Sequence, residues 1–308
     1  MSDDLRIGID LGGTGTRVAL VAPDGTVVDR VSYATATGRA FAVRGLIDAV
    51  RGVIGTRRVV SIGIGASGPV DRAGIIRNPA TLPAFTGVDL RAVLRAEFDV
   101  PVAIDNDAVA AAVYESIVGA GAGAESLLVV TLGTGVGVAA LSGGRPVRGA
   151  DGEHPEAGHR LVDAATATCY CGRSSCWEQA VSRTALQSAA QAMQPEASDP
   201  STALADLAAR ARGGEGRALS VFEEFGRLLG AGLADLQTVF RVDAIAVGGS
   251  ASQFADLIGE PARREFRRLD SYRSQPEIAY SDAGELGGAV GAALLDPRWC
   301  DGTSDVRP

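Results

Sequence analysis

The sequence predicts an α/β protein of two similar lobes with a cleft between them, and three observations predict it. Short apolar runs that stop at glycine alternate with stretches of helical spacing. A unit of strand, Gly-Thr-Gly turn and strand occurs twice, and 308 residues suffice for two domains at ~150 residues each.

Taken in order, Leu5 to Leu11 is a short apolar run with Asp10 near its end and Gly12-Gly13 behind it. Thr16 to Ala22 and Thr26 to Tyr33 follow, with the turn Pro23-Asp24-Gly25 between them, so three consecutive strands open a sheet in antiparallel fashion. Phe41 to Ile54 has helical spacing, and Val59 to Ala66 reads as a buried strand stopped by Ser67-Gly68-Pro69. Leu90 to Phe98 reads as a helix, Val102 to Asp105 as a strand and Ala108 to Val118 as an alanine-rich helix. The second strand pair is Leu127 to Leu132 and Val136 to Leu141. Residues 143–176 lack periodicity and hold both histidines and three of the four cysteines.

Gln194 to Ser201, with two prolines, reads as a loop. Leu204 to Arg212 and Leu219 to Phe240 read as helices broken by Gly213-Gly214. A strand from Ala244 to Val247 ends in Gly248-Gly249, followed by a helix to about Arg268, a strand near Ile278, a helix from Glu285 to Leu295 and a loose tail. In this division residues 1–108 form a smaller lobe, completed by the helix near 285–297, and residues 109–284 a larger one carrying the cysteine-rich loop.

Composition excludes several classes. Apolar residues at 46% and charged residues at 21% are those of a folded globular chain and not of a disordered one. The net charge of −8 disfavours a broad nucleic-acid surface, which needs clustered cations. All 29 basic residues are arginine. The absence of lysine removes Schiff-base and pyridoxal enzymes, Ser-Lys hydrolases and the P-loop with its phosphate-binding lysine. Only His154 and His159 are present, too few for a three-histidine catalytic metal. The N-terminus lacks the basic and apolar regions of a signal peptide, and the longest apolar stretch, Leu127 to Leu141, is too short and too broken for a membrane helix. With four cysteines, this places the expected compartment in the reducing cytoplasm.

Asp10-Leu11-Gly12-Gly13-Thr14-Gly15-Thr16 closes a strand with an acid and a glycine-rich turn. It reads either as a hairpin turn or as a phosphate cradle in which amides approach phosphate oxygens, Thr14 adds a hydroxyl and Asp10 holds a Mg²⁺-bound water. Thr131 to Gly137 repeats the pattern through Thr131, Gly133, Thr134 and Gly135, and Gly248-Gly249 would let an adenine ring lie against backbone. Three such strand ends favour a nucleotide. Asp105-Asn106-Asp107 stands between a strand and a helix. Asn106 or Asp105 suits a helix cap, while a carboxylate at this junction suits a general base for a hydroxyl attacking a γ-phosphate. The residues alone leave Asp105 and Asp107 both open for that role. His159, Cys169, Cys171 and Cys176 supply one imidazole and three thiolates, the set of a closed, structural zinc site. Cys300 reads as an unconnected thiol and His154 as a surface residue.

Together these segments resemble the ROK family (repressors, open reading frames and sugar kinases) of the actin-like ATPase fold, from about Ile7 to Leu295. The most specific part is Glu156-Ala157-Gly158-His159 with Cys169-Tyr170-Cys171-Gly172-Arg173-Ser174-Ser175-Cys176-Trp177-Glu178, similar to the family's Glu-x-Gly-His and Cys-x-Cys-Gly-x-x-Gly-Cys-x-Glu signatures. The resemblance implies a two-lobed, ribonuclease H-like fold and an ATP-dependent kinase of the 6-hydroxyl of glucose or an amino- or N-acetylamino-hexose. Kanosamine, N-acetylglucosamine and N-acetylmannosamine are all open. It makes Asp107 the catalytic base. Asn106, Glu156, His159 and Glu178, with the backbone of Gly68, become the sugar's partners, and His159 uses one ring nitrogen for zinc and the other for sugar. ATP, Mg²⁺, a structural Zn²⁺ and a homodimer are implied, with neither nucleic acid nor membrane as partner.

Three departures stand out. Gly15 occupies the place of a common family lysine, Ser175 replaces the knuckle glycine, and Thr81-Leu82-Pro83-Ala84-Phe85 replaces Asn-Leu-Pro-Gly-Trp. Asn78 is a candidate to replace the missing asparagine contact. The competing readings are a sugar-responsive repressor, for which the chain offers no room before its first strand, and a sugar-binding regulator without catalysis. The Arg263-Arg264 and Arg267-Arg268 pairs suggest polyphosphate as donor less than a solvated basic helix face.

Overall fold

The computed structural model describes residues 4–163, 168–270 and 275–299; Cys300 and the rest of the tail lie outside them. Its architecture is α/β, with two five-stranded sheets and helices.

The first sheet begins with β1 (Leu5–Leu11), β2 (Gly15–Val21) and β3 (Val27–Ala34), antiparallel in sequence, as their tight turns require. Helix α1 (Arg39–Ile54) then crosses to β4 (Val59–Ala66), which pairs parallel with β1, and α2 (Leu90–Phe98) leads to β5 (Val102–Asn106), parallel to β4. The order is β3-β2-β1-β4-β5. β1 and β4 are central and apolar, and Ile7, Ile9, Ile62 and Ile64 are fully buried. The charged ends of these strands, Asp10 on β1 and Asp105 on β5, lie beside one another in register with Gly65 of β4 between them. From β5 the chain enters α3 (Asp107–Ile117).

The second sheet holds β6 (Ser126–Leu132), β7 (Val136–Ser142), the short β8 (Arg145–Pro146), β9 (Ala244–Gly248) and β10 (Glu277–Tyr280), in the order β10-β9-β6-β7-β8. Among the described residues, the α-helices between β8 and β9 are α4 (Glu178–Val181), α5 (Arg183–Met193), α6 (Pro200–Arg212) and the long α7 (Gly216–Phe240). Helix α8 (Ala255–Leu269) connects β9 to β10, and α9 (Gly287–Ala293) follows β10. Helix α9 packs on β1 and β4, whose Gly8 and Gly63 present no side chain where the backbone of Ala289 and Ala292 comes down.

Chain contacts divide the described residues into two compact units. One holds residues up to Glu125, Ala139–Pro155 and those from Asp282 onward; the other holds Ser126–Val138 and Glu156–Ser281. No helix among the described residues is long and apolar enough to cross a membrane.

One sequence expectation needs correction. His154 is buried, with 6% of its surface exposed, because the irregular segment after β8 folds inward there. Helices α4 and α5 occupy a stretch for which the sequence analysis makes no reading: α4 is a single turn that begins at Glu178, the last residue of the cysteine motif, and Ser182 separates it from α5, its hydroxyl accepting the Ala185 N–H at 3.1 Å.

Candidate functional site

In the first unit the β1–β2 turn is closed by Gly12 N–H donating to Gly15 O at 3.1 Å and braced by the Thr35 hydroxyl donating to Gly12 O at 2.7 Å. Thr14 stands at the tip between them. Gly13 lies against Thr81, whose carbonyl oxygen would be 2.6 Å from a Cβ at that position. Asp10 faces its cross-strand neighbour Arg17, with Nη1 3.2 Å from Oδ2. Burial pushes the Asp10 carboxyl above its ordinary range, and Arg17 opposes that shift. No local motif marks Arg17 as the companion of this acid.

The strand-to-helix junction separates its two acids. Asp105 is buried: Oδ1 accepts the Asn106 N–H at 2.8 Å, and both of its oxygens are gripped by the Arg148 guanidinium. Arg148 also donates to Gly152 O at 3.1 Å, which ties the segment after β8 to β5. Asn106 is the N-cap of α3: its oxygen accepts Ala108 N–H at 2.7 Å, and its amide donates to Gly68 O at 3.0 Å. Asp107 is the first residue of α3, less buried than Asp105, with Oδ1 2.9 Å from the same Ala108 N. The structure thus brings Gly68, Asn106 and Asp107 together. Asn78 is engaged with backbone, donating to Ser67 O at 3.0 Å and accepting Thr81 N–H at 3.1 Å. It braces the Gly68 and Thr81 segments, and that use competes with replacing a lost sugar contact.

In the second unit the β6–β7 turn is closed by Gly133 N–H donating to Gly135 O at 3.0 Å. The start of α5 holds it from outside: Arg183 N–H donates to Gly133 O at 2.9 Å, and the Thr184 hydroxyl to Thr134 O at 2.8 Å. Thr131 stands before the turn at the end of β6, where it pairs with Gly248 of β9. Gly249 follows, where a Cβ would be only 2.5 Å from the Leu132 backbone nitrogen.

His159, Cys169, Cys171 and Cys176 offer donor atoms that all lie within 4.8 Å of one another. Cys169 Sγ is 3.5 Å from His159 Nδ1, and the sulfurs of Cys171 and Cys176 are 3.6 Å apart. Tetrahedral zinc with Zn–S bonds of ~2.3 Å has ligand edges of roughly 3.8 Å, so the donor set and its spacing fit that ion. The knuckle is set by Cys169 N–H donating to Arg173 O at 2.8 Å and by Ser175, which adopts a left-handed φ of 66° where the related motif has glycine. Behind it the fully buried Trp177 donates from Nε1 to Leu228 O at 3.1 Å.

Glu178 is buried beside this cluster. Its Oε1 lies 2.8 Å from Cys169 Sγ and 3.5 Å from His159 Nδ1, and its Oε2 faces Gly135, where a Cβ would be only 2.7 Å away. His159 Nε2 points the other way, 3.0 Å from the Tyr170 hydroxyl and 4.0 Å from Glu156 Oε2. The second unit therefore gathers Glu156, His159 and Glu178 at one place. Sequence reasoning missed Tyr170, Arg148 and the Thr184 brace, since each acts through a partner distant in sequence or through a side chain without motif.

The arginines of α8 are occupied. Arg264 pairs with Glu223, Arg267 with Glu260 at 3.1 Å and Arg268 with Glu265 at 2.7 Å, while Arg263 lies over Tyr280 and donates to Ile278 O at 3.1 Å. Three of the four thus face an acid, and the fourth is engaged by a ring and a backbone carbonyl.

The chain is 32% identical over 307 residues to a glucokinase of Streptomyces coelicolor, covering 94% of this chain and 97% of that protein. It is also 26% identical to the xylose repressor of Bacillus subtilis, covering 91% of this chain and 75% of that protein. Its structure matches that of a ROK family glucokinase from Streptomyces griseus in complex with glucose and AMPPNP, with a TM-score of 0.81 and 32% identity over 96% of this chain and 99% of that one. The paired sheets, the two glycine turns and the His-Cys₃ knuckle followed by Glu178 are accompanied by a match to the ROK family model over residues 6–298, and the chain belongs to the ROK family.

Proposed function

We propose that this protein is an ATP-dependent hexose kinase acting on the 6-hydroxyl of glucose or of an amino- or N-acetylamino-hexose. The observation that carries the reading is the division of labour at the β5–α3 junction. Arg148 engages both oxygens of Asp105, whereas Asp107 sits less buried at the first turn of α3. Asp107 is then the base that accepts the proton of the attacking hydroxyl, a task that requires a positioned carboxylate more than a strong one. Asn106, Glu156, His159, Glu178 and the Gly68 backbone hold the sugar's other hydroxyls.

ATP enters as substrate with Mg²⁺, which neutralises charge on the transferring phosphoryl group. Without lysine, the chain's own contribution to that charge is backbone amide at Gly13, Thr14, Thr134 and Gly135, the Gly12 and Gly133 N–H groups being used to close their turns, with Asp10 holding the metal's water. Zinc at His159, Cys169, Cys171 and Cys176 has a closed shell and serves structure, holding Glu178 and His159 in place. Assembly as a homodimer belongs to the same proposal and is checked by light scattering.

The test is a coupled ADP-release assay with Mg-ATP across glucose, mannose, fructose, glucosamine, kanosamine, N-acetylglucosamine and N-acetylmannosamine, with Asp107→Asn beside the native protein. The expected result is turnover on one or a few hexoses and a fall of about 10²- to 10⁴-fold in kcat for the variant. Turnover that survives the substitution would remove Asp107 from the role. The likeness to a xylose repressor favours a second reading, a sugar-responsive regulator. Calorimetric sugar binding without turnover on any hexose would select it.

A further inference from the structure

Tyr170 stands in sequence between two of the metal donors, and 80% of its surface is exposed. Its hydroxyl nevertheless turns back to within 3.0 Å of His159 Nε2. The ring meets the imidazole edge-on, with centroids 5.1 Å apart and planes at 78°. The other nitrogen, Nδ1, belongs to the four-donor cluster. A ring nitrogen that gives its lone pair to a metal leaves the proton on its neighbour, so Nε2 is a donor and the phenol oxygen accepts from it. Under the hexose-kinase reading, on which this inference rests, that same N–H is offered to a sugar hydroxyl. One N–H cannot serve both acceptors at full strength.

We propose that Tyr170 is a specificity-determining residue of the sugar site: its hydroxyl occupies His159 Nε2–H in the free protein and is displaced by the incoming sugar hydroxyl. The backbone of the knuckle is held by Cys169 N–H to Arg173 O at 2.8 Å and Gly172 N–H to Cys169 O at 3.0 Å. Displacement is therefore a side-chain rotation of an already exposed ring, with the metal donors left in place. The consequence is competition. A hexose with a free hydroxyl at that position replaces the phenol, and one that lacks the hydroxyl leaves it seated and binds less well.

Tyr170→Phe keeps the ring and removes the competitor. The expected result is a KM for the best hexose lowered about three- to tenfold, the range one neutral hydrogen bond converts to, with kcat held within about twofold. The calorimetric Kd should fall in the same ratio. An unchanged or raised KM would overturn the proposal, since a raised value means that the hydroxyl contacts the sugar directly. Zinc content should match the native protein, and its loss would reassign Tyr170 to the metal site.

A sugar-free measurement separates this inference from the kinase reading. The chain has two histidines, so imidazole N–H signals in ¹⁵N spectra of the zinc-loaded protein are few. The His159 Nε2–H should exchange slowly in the native protein and faster in Tyr170→Phe. Equal exchange overturns the contact even if the native protein phosphorylates hexoses. A failure of all hexoses to react, with slow exchange retained, overturns the kinase reading alone.

Discussion

The two glycine turns begin from nearly the same residues and are braced by opposite means. The first runs Asp10-Leu11-Gly12-Gly13-Thr14-Gly15, the second Thr131-Leu132-Gly133-Thr134-Gly135. The first is one residue longer between its closing partners, and its extra glycine, Gly13, is the one that Thr81 covers. It is held by its own sheet, through Thr35 at the end of β3. The second leans on α4 and α5, through Arg183, Thr184 and the carboxylate of Glu178. An acid precedes the first and a threonine the second. The same local sequence thus makes a self-supporting turn in one unit and a turn dependent on the cysteine knuckle in the other.

The acid gives the largest test of that contrast. On the proposed function Asp10→Asn should lower kcat by roughly 10²- to 10³-fold, the scale of losing an electrostatic partner of the transferring group, whereas Thr131→Val should cost only a few-fold. Stability should move the other way. Burial raises the folded-state pKa of Asp10 above its unfolded value, so the ionised form is disfavoured by folding, Arg17 offsetting part of this. That penalty is absent below the ordinary aspartate range and complete above the raised folded value. The variant should therefore equal the native protein in stability at low pH and match or exceed it at neutral pH. Unfolding midpoints across the pH range check the sign, and a variant that is less stable at neutral pH would contradict it.

Metal removal should distinguish the turns most directly. Glu178 follows Cys176 by two residues and contacts Cys169 at one oxygen while facing Gly135 with the other. Chelation, or Cys176→Ser, should raise hydrogen exchange about tenfold or more across 131–137 and α4. Exchange at 12–15 should remain as it was. Loosening of both turns together would mean that the knuckle supports the protein globally and that the contrast is not local.

Much of the scaffold was legible because its signals are local. The strands from Leu5 to Leu141 show as apolar runs, and their glycines mark the turns where the chain reverses. The His-Cys₃ donors also sit in one short stretch, and chemistry alone associates them. What was not legible depends on distant partners. Nothing around Arg148 announces that it will grip Asp105, 43 residues away in sequence. His154 has no periodic context to signal burial, and α4 is too short, at four residues, to show helical spacing. Under the proposed function, the preference for Asp107 over Asp105 rests on such a distant partner, which is why the motif alone left both open.

The third test concerns the extra glycine. Gly13→Ala would place a methyl 2.6 Å from both the carbonyl oxygen and Cγ2 of Thr81. The backbone atom cannot rotate away, so the expected cost is about 1–3 kcal/mol of stability, read by thermal or denaturant unfolding, along with a raised KM for ATP. Gly13→Ala combined with Thr81→Ser would relieve the Cγ2 clash but not the carbonyl one, and should recover only part of the loss.

Gly133→Ala is the smallest expected effect and the most discriminating. Apart from its two chain neighbours, no atom of the described residues lies within 4 Å of a Cβ there, and its backbone is outside the left-handed region. Helix-free alanine in open space leaves folding nearly untouched, so the unfolding midpoint should match that of the native protein. If the open space is where a phosphate approaches the amides, the added methyl keeps the ligand off, and KM for ATP should rise about three- to tenfold, the range of one weakened hydrogen bond. The sugar KM should not move. Gly13→Ala impairs folding and nucleotide use together, whereas Gly133→Ala should impair nucleotide use alone. An unchanged KM for ATP in Gly133→Ala would make the second turn a hairpin and nothing more, and would leave phosphate binding to the first.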